Sequence, residues 1–222
     1  MATFLRLPGH TPYADAHALQ QRLLRDRIAD RIGDVVLLLE HEEVITLGRR
    51  RDAQSHVLAP GDVPVLQVER GGDVTWHGPG QLVAYPILKL EGPRADLHQH
   101  LHALEDAVLG LLDDLGLAVG RDPRNTGVWV DGRKVCSIGI ACRKWVTWHG
   151  LALNVAPDLA AFTRIQPCGF EAGIMTRLAD HLDPCPTLED LVEPLAHHLA
   201  HALAVPFEGW ASPDGPLAPQ SA

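Results

Sequence analysis

The chain contains no CxxC pair. Its four cysteines, Cys136, Cys142, Cys168 and Cys185, are scattered through 222 residues, which gives no support to a structural zinc site or a thioredoxin-like redox motif. In a chain of this length the same scatter argues against a disulfide framework. Long apolar runs are missing too: the longest, 35–39, is strand-sized and far short of a membrane-spanning helix. The opening residues, Met-Ala-Thr-Phe-Leu-Arg-Leu-Pro, lack the basic-then-apolar profile of a secretory signal, so a cytoplasmic protein is expected. Positive charge is scarce, the net charge being −9. General nucleic-acid binding is thereby disfavoured, because neutralising phosphates requires a basic face. One local basic run, Arg49-Arg50-Arg51, stands against that background, with its role open.

What is present is ordinary for a globular protein, with 46% hydrophobic and 21% charged residues. Three stretches carry helical periodicity. Leu19, Leu23, Leu24 and Ile28 line one face; Leu97, Leu101, Leu104, Val108, Leu111 and Leu115 line a second, with Gly116 placed to end it; Leu188, Leu191, Leu195 and Leu199 line a third, with Thr187 as N-cap. Strand-like runs occupy 35–39, 44–47, 63–68, 81–88, 128–130, 134–142, 144–148 and 151–155. Asp131-Gly132 is a two-residue hairpin signal, and a turn near Arg143 should pair the next two strands. Strands cluster rather than alternate with helices, which predicts an α+β fold with a mixed, largely antiparallel sheet flanked by helices. No repeat or internal linker divides the chain, so residues 1–211 are expected to form one catalytic domain, with 212–222 a loose tail rich in Pro, Ser and Ala.

Two segments concentrate chemistry. Residues 70–81, Arg-Gly-Gly-Asp-Val-Thr-Trp-His-Gly-Pro-Gly-Gln, hold four glycines and a proline. Glycine lets a ligand approach the backbone and exposes N–H donors. A plain surface hairpin would use the same residues, but Arg70, Thr75 and His77 around the turn favour a binding loop. A Walker A ending is absent. The second segment is Ile165-Gln166-Pro167-Cys168-Gly169-Phe170. Its proline and glycine place Cys168 on a turn, whereas Cys136 and Cys142 sit in apolar strands and read as small buried hydrophobes. A nucleophilic cysteine needs a neighbouring cation, since an unperturbed thiol at pKa ~8.5 is only slightly ionised near neutrality. Candidates are Lys134, which interrupts an apolar strand, His77 and His149; spacing alone does not choose among them. His98 and His102, like His197 and His201, are spaced i, i+4 but lack a third ligand, so no metal is expected.

Together these segments resemble the octanoyltransferases of lipoate biosynthesis. The resemblance covers 38–170 and rests on four motifs: His41 with Thr46-Leu47-Gly48-Arg49; Arg70-Gly71-Gly72 with His77-Gly78-Pro79-Gly80-Gln81; Lys134 with Ser137-Ile138-Gly139; and His149-Gly150-Leu151-Ala152-Leu153-Asn154-Val155 followed by Pro167-Cys168-Gly169. It implies a fold like that of lipoate and biotin protein ligases, Cys168 as acyl-thioester nucleophile and Lys134 as the lysine that lowers its pKa and moves protons. It also implies substrate-binding stretches Arg70, Gly71, Gly72, Asp73, Val74, Thr75, Trp76 and His77; Ser137, Ile138 and Gly139; and Gly150, Leu151 and Ala152. The donor so implied is octanoyl-acyl carrier protein. The acceptors are lysines of lipoyl domains, in the E2 subunits of 2-oxoacid dehydrogenases and in the glycine cleavage H protein. No cofactor is implied.

Two departures stand out. Glu42-Glu43 follows His41 in place of a proline-containing turn, and Cys136 replaces a small residue, with narrowing of the acyl pocket expected. Competing readings are an ATP-dependent lipoate or biotin ligase, which needs no thiolate, a Cys-His thioester hydrolase using His149 or His77, and a non-catalytic acyl-binding module.

Overall fold

Residues 35–39 carry apolar side chains on both sides of an extended chain, so a strand there has to be covered on both faces. The computed structural model, which describes residues 2–167, 171–212 and 217, covers it with one helix on one side and two on the other. In chain order the elements are β1 (Ala2–Thr11), α1 (Tyr13–Ile28), β2 (Asp34–His41), β3 (Val44–Leu47), β4 (Val65–Gln67), β5 (Val74–His77), β6 (Gln81–Ile87), α2 (Leu97–Asp114), β7 (Val119–Asp122), β8 (Asn125–Val130), β9 (Arg133–Arg143), β10 (Val146–Asn154) and α3 (Leu188–Ala202). The main sheet has the order β1-β2-β6-β10-β9-β8-β7, and β4-β3-β5 form a small second sheet. Among the described strands only β1–β2 and β3–β4 pair in parallel; the other pairs are antiparallel. The fold is α+β, with the mixed and mostly antiparallel sheet that the strand clustering indicated.

Alternation along β2 divides the core. Val36 and Leu38 join Leu104 and Val108 of α2 and Leu195 and Leu199 of α3, while Val35, Leu37 and Leu39 join Leu19 and Leu23 of α1. A third cluster, with Ile45, Val74, Trp76, Phe162 and Ile165, fills the small sheet. Local chemistry sets the ends. The Thr187 hydroxyl accepts from the Asp190 amide and the Asp190 carboxylate accepts from the Thr187 amide, a reciprocal cap worth about 1 kcal/mol. Gly116, at φ +76°, follows the last turn of α2. Both expected hairpins form. Asp131 and Gly132 take φ +48° and +74°, and Lys144 and Trp145 take +51° and +61°, so the second turn reaches the left-handed region without glycine.

Three differences from the sequence pattern have physical causes. Pro8-Gly9 hides β1, which tolerates them because it is an edge strand whose pairing with β2 slips between Arg6 and His10. The runs 144–148 and 151–155 are one strand, β10, which passes through His149 at φ +58°. Residues 74–77 form β5 within the glycine-rich segment, paired with β3. Among the described residues no helix is long and apolar enough to cross a membrane.

Gly150 sits where β10 passes closest to β6: a Cβ there would lie 2.2 Å from the Ala84 carbonyl oxygen. Gly150→Ala should therefore destabilise the protein by about 3 kcal/mol or more, as overpacking against backbone does. Gly120→Ala on β7, where a Cβ would meet no atom of the described residues within 4 Å apart from its chain neighbours, should stay within about 1 kcal/mol of wild type. Chemical denaturation of both variants checks this, and equal midpoints would refute it.

Candidate active site

A cavity of ≈ 230 Å³ opens where β9 and β10 face the loop leading into β5. Arg70, Gly71, Gly72, Asp73, Val74, Thr75, His77, Lys134, Ser137, Ile138, Gly139, Gly150, Leu151 and Ala152 all line it, from stretches far apart in sequence. Trp76 does not. Its ring packs edge-on against Phe162, 5.5 Å between centroids, inside the small core, because β5 alternation sends it away from Thr75 and His77. Cys168 lies outside the described residues; Pro167, immediately before it, lines the cavity.

Lys134 reaches this cavity through a slip in strand pairing. Trp129 pairs with Lys134, yet Val128 pairs with Cys136, so Val135 is an extra residue on β9. Such a bulge re-aims side chains: Lys134 shares the face of Trp129, and Cys136 that of Val128. The lysine is 4% exposed. Its Nζ donates to Asn125 Oδ1 and lies 5.7 Å from the centre of the Trp129 ring. Gly127, at φ +140°, makes room for it, since a Cβ there would be 2.5 Å from Lys134 Cε and 2.3 Å from the Cys136 carbonyl oxygen. Cys136 is fully buried in the helix-side core and is not among the residues lining the cavity. Its position therefore does not narrow that space, contrary to expectation, and burial pushes its thiol pKa up to about 12.

The glycine loop is tied down rather than loose. Gly71 N–H donates to the Ile140 carbonyl of β9 at 2.8 Å. The buried Arg70 guanidinium donates to the Thr46 carbonyl at 2.8 Å and to its hydroxyl at 2.9 Å, both on β3. Amides of Gly48, Arg49 and Arg50 donate to carbonyls of Asp73, Arg70 and Gly72. Asp73, almost wholly buried, is an internal peg: His56 Nδ1 lies at 2.7 Å and Arg50 at 3.2 Å.

Opposite stands a wall of neutral rings. His41 Nδ1–H donates to the Thr11 carbonyl at 3.0 Å, so its Nε2 accepts from the Tyr85 hydroxyl at 2.7 Å. Burial lowers the His41 pKa to about 4. His77 Nδ1–H donates to Gln81 Oε1 at 3.1 Å, and Gln81 Nε2 donates in turn to Asn154; this assigns the lone pair of His77 to Nε2. Burial, first among several causes, holds His77 well below the usual histidine range and also lowers His149. Burial raises Tyr13 and Tyr85, so both phenols keep their protons. The chain has only two tyrosines, and both line the cavity. Neither they nor Asn125, Ile174 and Met175 were singled out from the sequence. Tyr85 reads as one more apolar position of a strand, and Asn125 as a turn residue.

The sequence profile described as the lipoyl protein ligase A/B catalytic domain matches residues 12–200. The octanoyltransferase of Gloeobacter violaceus is 50% identical over 163 residues, 73% of this chain and 73% of that protein. The octanoyltransferase of Geobacter sulfurreducens is 43% identical over 210 residues, 95% of this chain and 85% of the relative. Among solved structures, a lipoate-protein ligase A bound with ATP superimposes with a TM-score of 0.70 at 14% identity, covering 95% of this chain and 89% of that one. The biotin protein ligase of Aquifex aeolicus does so at 0.53 and 13%, covering 91% and 68%. At such identities these two report the fold. Profile and relatives together establish that the chain belongs to the octanoyltransferases of lipoate biosynthesis, acyltransferases built on the lipoyl protein ligase A/B catalytic domain.

Proposed function

We propose that residues 1–211 act as one catalytic unit that moves an octanoyl group from acyl carrier protein to a lysine of lipoyl domains, through a thioester on Cys168, with Lys134 as its partner. The observation that carries this reading is the cavity itself. A buried lysine, the glycine loop and Pro167, next to the cysteine in sequence, line one space. The nearby His77 and His149 are held toward their neutral forms by burial, so the task of favouring the thiolate falls to Lys134.

The chemistry follows in two transfers. The Cys168 thiolate attacks the octanoyl carbonyl carbon, the C–S bond to the carrier breaks, and the departing carrier thiolate takes a proton from Lys134. The acceptor lysine's ε-amine then attacks the enzyme thioester, the bond to Cys168 breaks, and the proton lost by the amine returns to Lys134. An amide replaces a thioester, which is downhill, so ATP and metal have no step to perform. The tied-down backbone of the loop suits it to hold the oxyanion of each tetrahedral intermediate. The E2 subunits of 2-oxoacid dehydrogenases and the glycine cleavage H protein are the proposed acceptors, with the cytoplasm as the setting.

Intact-protein mass spectrometry after incubation with an octanoyl thioester tests the nucleophile. Cys168→Ala should give no covalent octanoyl adduct and Cys185→Ala should keep it; an adduct on the Cys168→Ala protein sinks the mechanism. The pH dependence of Cys168 alkylation tests its partner. A nearby cation favours the thiolate, so Lys134→Ala should move the profile to higher pH by about 2 units. Lys134→Arg should restore part of that shift but little transfer, since a guanidinium does not release its proton. An unchanged profile in both variants assigns the role to a histidine.

The basic run bears on the donor. Arg49 and Arg51 are exposed beside the glycine loop, whereas Arg50 pairs with Asp52 and Asp73. Acyl carrier proteins are acidic and this chain is −9, so a local reversal of the field would steer docking. Neutralising Arg49 and Arg51 should raise KM for the carrier-bound donor several-fold and flatten its salt dependence. A short carrier-free octanoyl thioester should react as before; equal loss with both donors would refute docking.

A further inference from the structure

His149 presents a problem that acyl transfer does not solve. It adopts φ +58° inside a strand, its N–H donates to Gln20 Oε1 at 2.9 Å, and its side chain is only 2% exposed. Left-handed backbone in a non-glycine residue is held only when the surroundings over-determine it. Yet its buried Nε2 has no hydrogen-bond partner among the described residues. The nearest carboxylate oxygen, Glu69 Oε2, is 3.5 Å away, within ion-pair reach but outside hydrogen-bond geometry. A polar atom fixed so firmly and left unsatisfied destabilises the fold, and such atoms need a partner.

A third group meets them. His17, on α1, lies with its Nε2 2.9 Å from the same Glu69 oxygen, and the three donor atoms all fall within 4.8 Å of one another. The two imidazole rings are 20° from parallel and 5.9 Å apart. Two imidazole nitrogens and a carboxylate oxygen converging on one point are the donors of an open zinc site.

We propose that His17, Glu69 and His149 form a site for one divalent transition-metal cation of the zinc class, with a remaining position open to water. With bonds of about 2.0–2.2 Å, tetrahedral donors sit roughly 3.3–3.5 Å apart; two of the separations here are 2.9 and 3.5 Å. The third lies within 4.8 Å, and the His17 side chain, 28% exposed on its helix, has room to shorten it by rotating. Glu69, 47% exposed, gives the ion a way in from solvent. His149 lines the acyl cavity itself, while His17 follows the lining residue Tyr13 by one turn of α1 and Glu69 directly precedes the lining residue Arg70. Occupancy ties these segments together, so the cation braces the cavity without entering the transfer chemistry.

Calorimetric titration of the full chain with Zn²⁺, paired with the absorption spectrum of the Co²⁺ form, tests the site independently of octanoyl transfer. Expected are one equivalent bound, cobalt bands typical of nitrogen and oxygen ligands, and a zinc-dependent rise in the unfolding midpoint. His17→Ala and Glu69→Gln should each weaken binding tenfold or more and abolish that rise, while Arg25→Ala, exposed on the same helix, should keep both. Absence of saturable binding, equal affinity in His17→Ala, or an intense sulfur-to-cobalt charge-transfer band would overturn the proposal.

Discussion

The donation from Gly71 N–H to the Ile140 carbonyl joins two sheets that share no strand. On one side of that bond the glycine loop continues into β5 of the small sheet; on the other lies β9 of the large one. Arg70 extends the join by anchoring its guanidinium on Thr46 of β3. The cavity is the space these contacts leave between the sheets. Its walls come from the loop on one side and from 137–139 and 150–152 on the other. Gly48 keeps the loop close to the end of β3, since a Cβ there would lie 2.3 Å from the Gly72 carbonyl oxygen, and backbone donors pinned in this way need no rearrangement when charge develops on a bound oxygen.

Burial then distributes the roles. Desolvation holds His41 and His77 as neutral rings and keeps both tyrosines protonated. That wall supplies shape and directed lone pairs without net charge. The basic groups lining the cavity divide accordingly: Arg70 works within the scaffold, and Lys134 stands over Trp129 and against Asn125. A cavity with an apolar wall and few charges suits an alkyl chain ending in a polar head.

Much of this was legible in the sequence because it is written locally. The leucine spacing of α2, the Thr187 cap and the Asp131-Gly132 turn each depend on neighbours a few residues away. The lining segments were legible as glycine-rich or polar interruptions of apolar runs. The facing of Lys134 was not. Plain alternation from Cys136 would put it on the helix side, and only the one-residue slip opposite Trp129 turns it over. Trp76 erred the other way, since a motif runs through a strand whose alternate side chains face opposite sides. The His41–Tyr85 bond and the meeting of His17 with Glu69 join residues 44 and 52 positions apart, and no local pattern announces such meetings.

The slip in β1 has a consequence at the border of the sheet. An edge strand offers unpaired amides and carbonyls to any extended chain that drifts alongside. Here Pro8 has no N–H to offer, and the slip between Arg6 and His10 bends the strand out of register. Nearer the start of β1, Ala211 N–H already occupies the Phe4 carbonyl, and Trp210 bridges the same residue. One half of the border is thus capped by the chain's own later residues and the other is made unpairable by its covalent structure. The sheet is closed to further strands on that side, and the residues that concealed β1 as a strand are the ones that keep it from recruiting another.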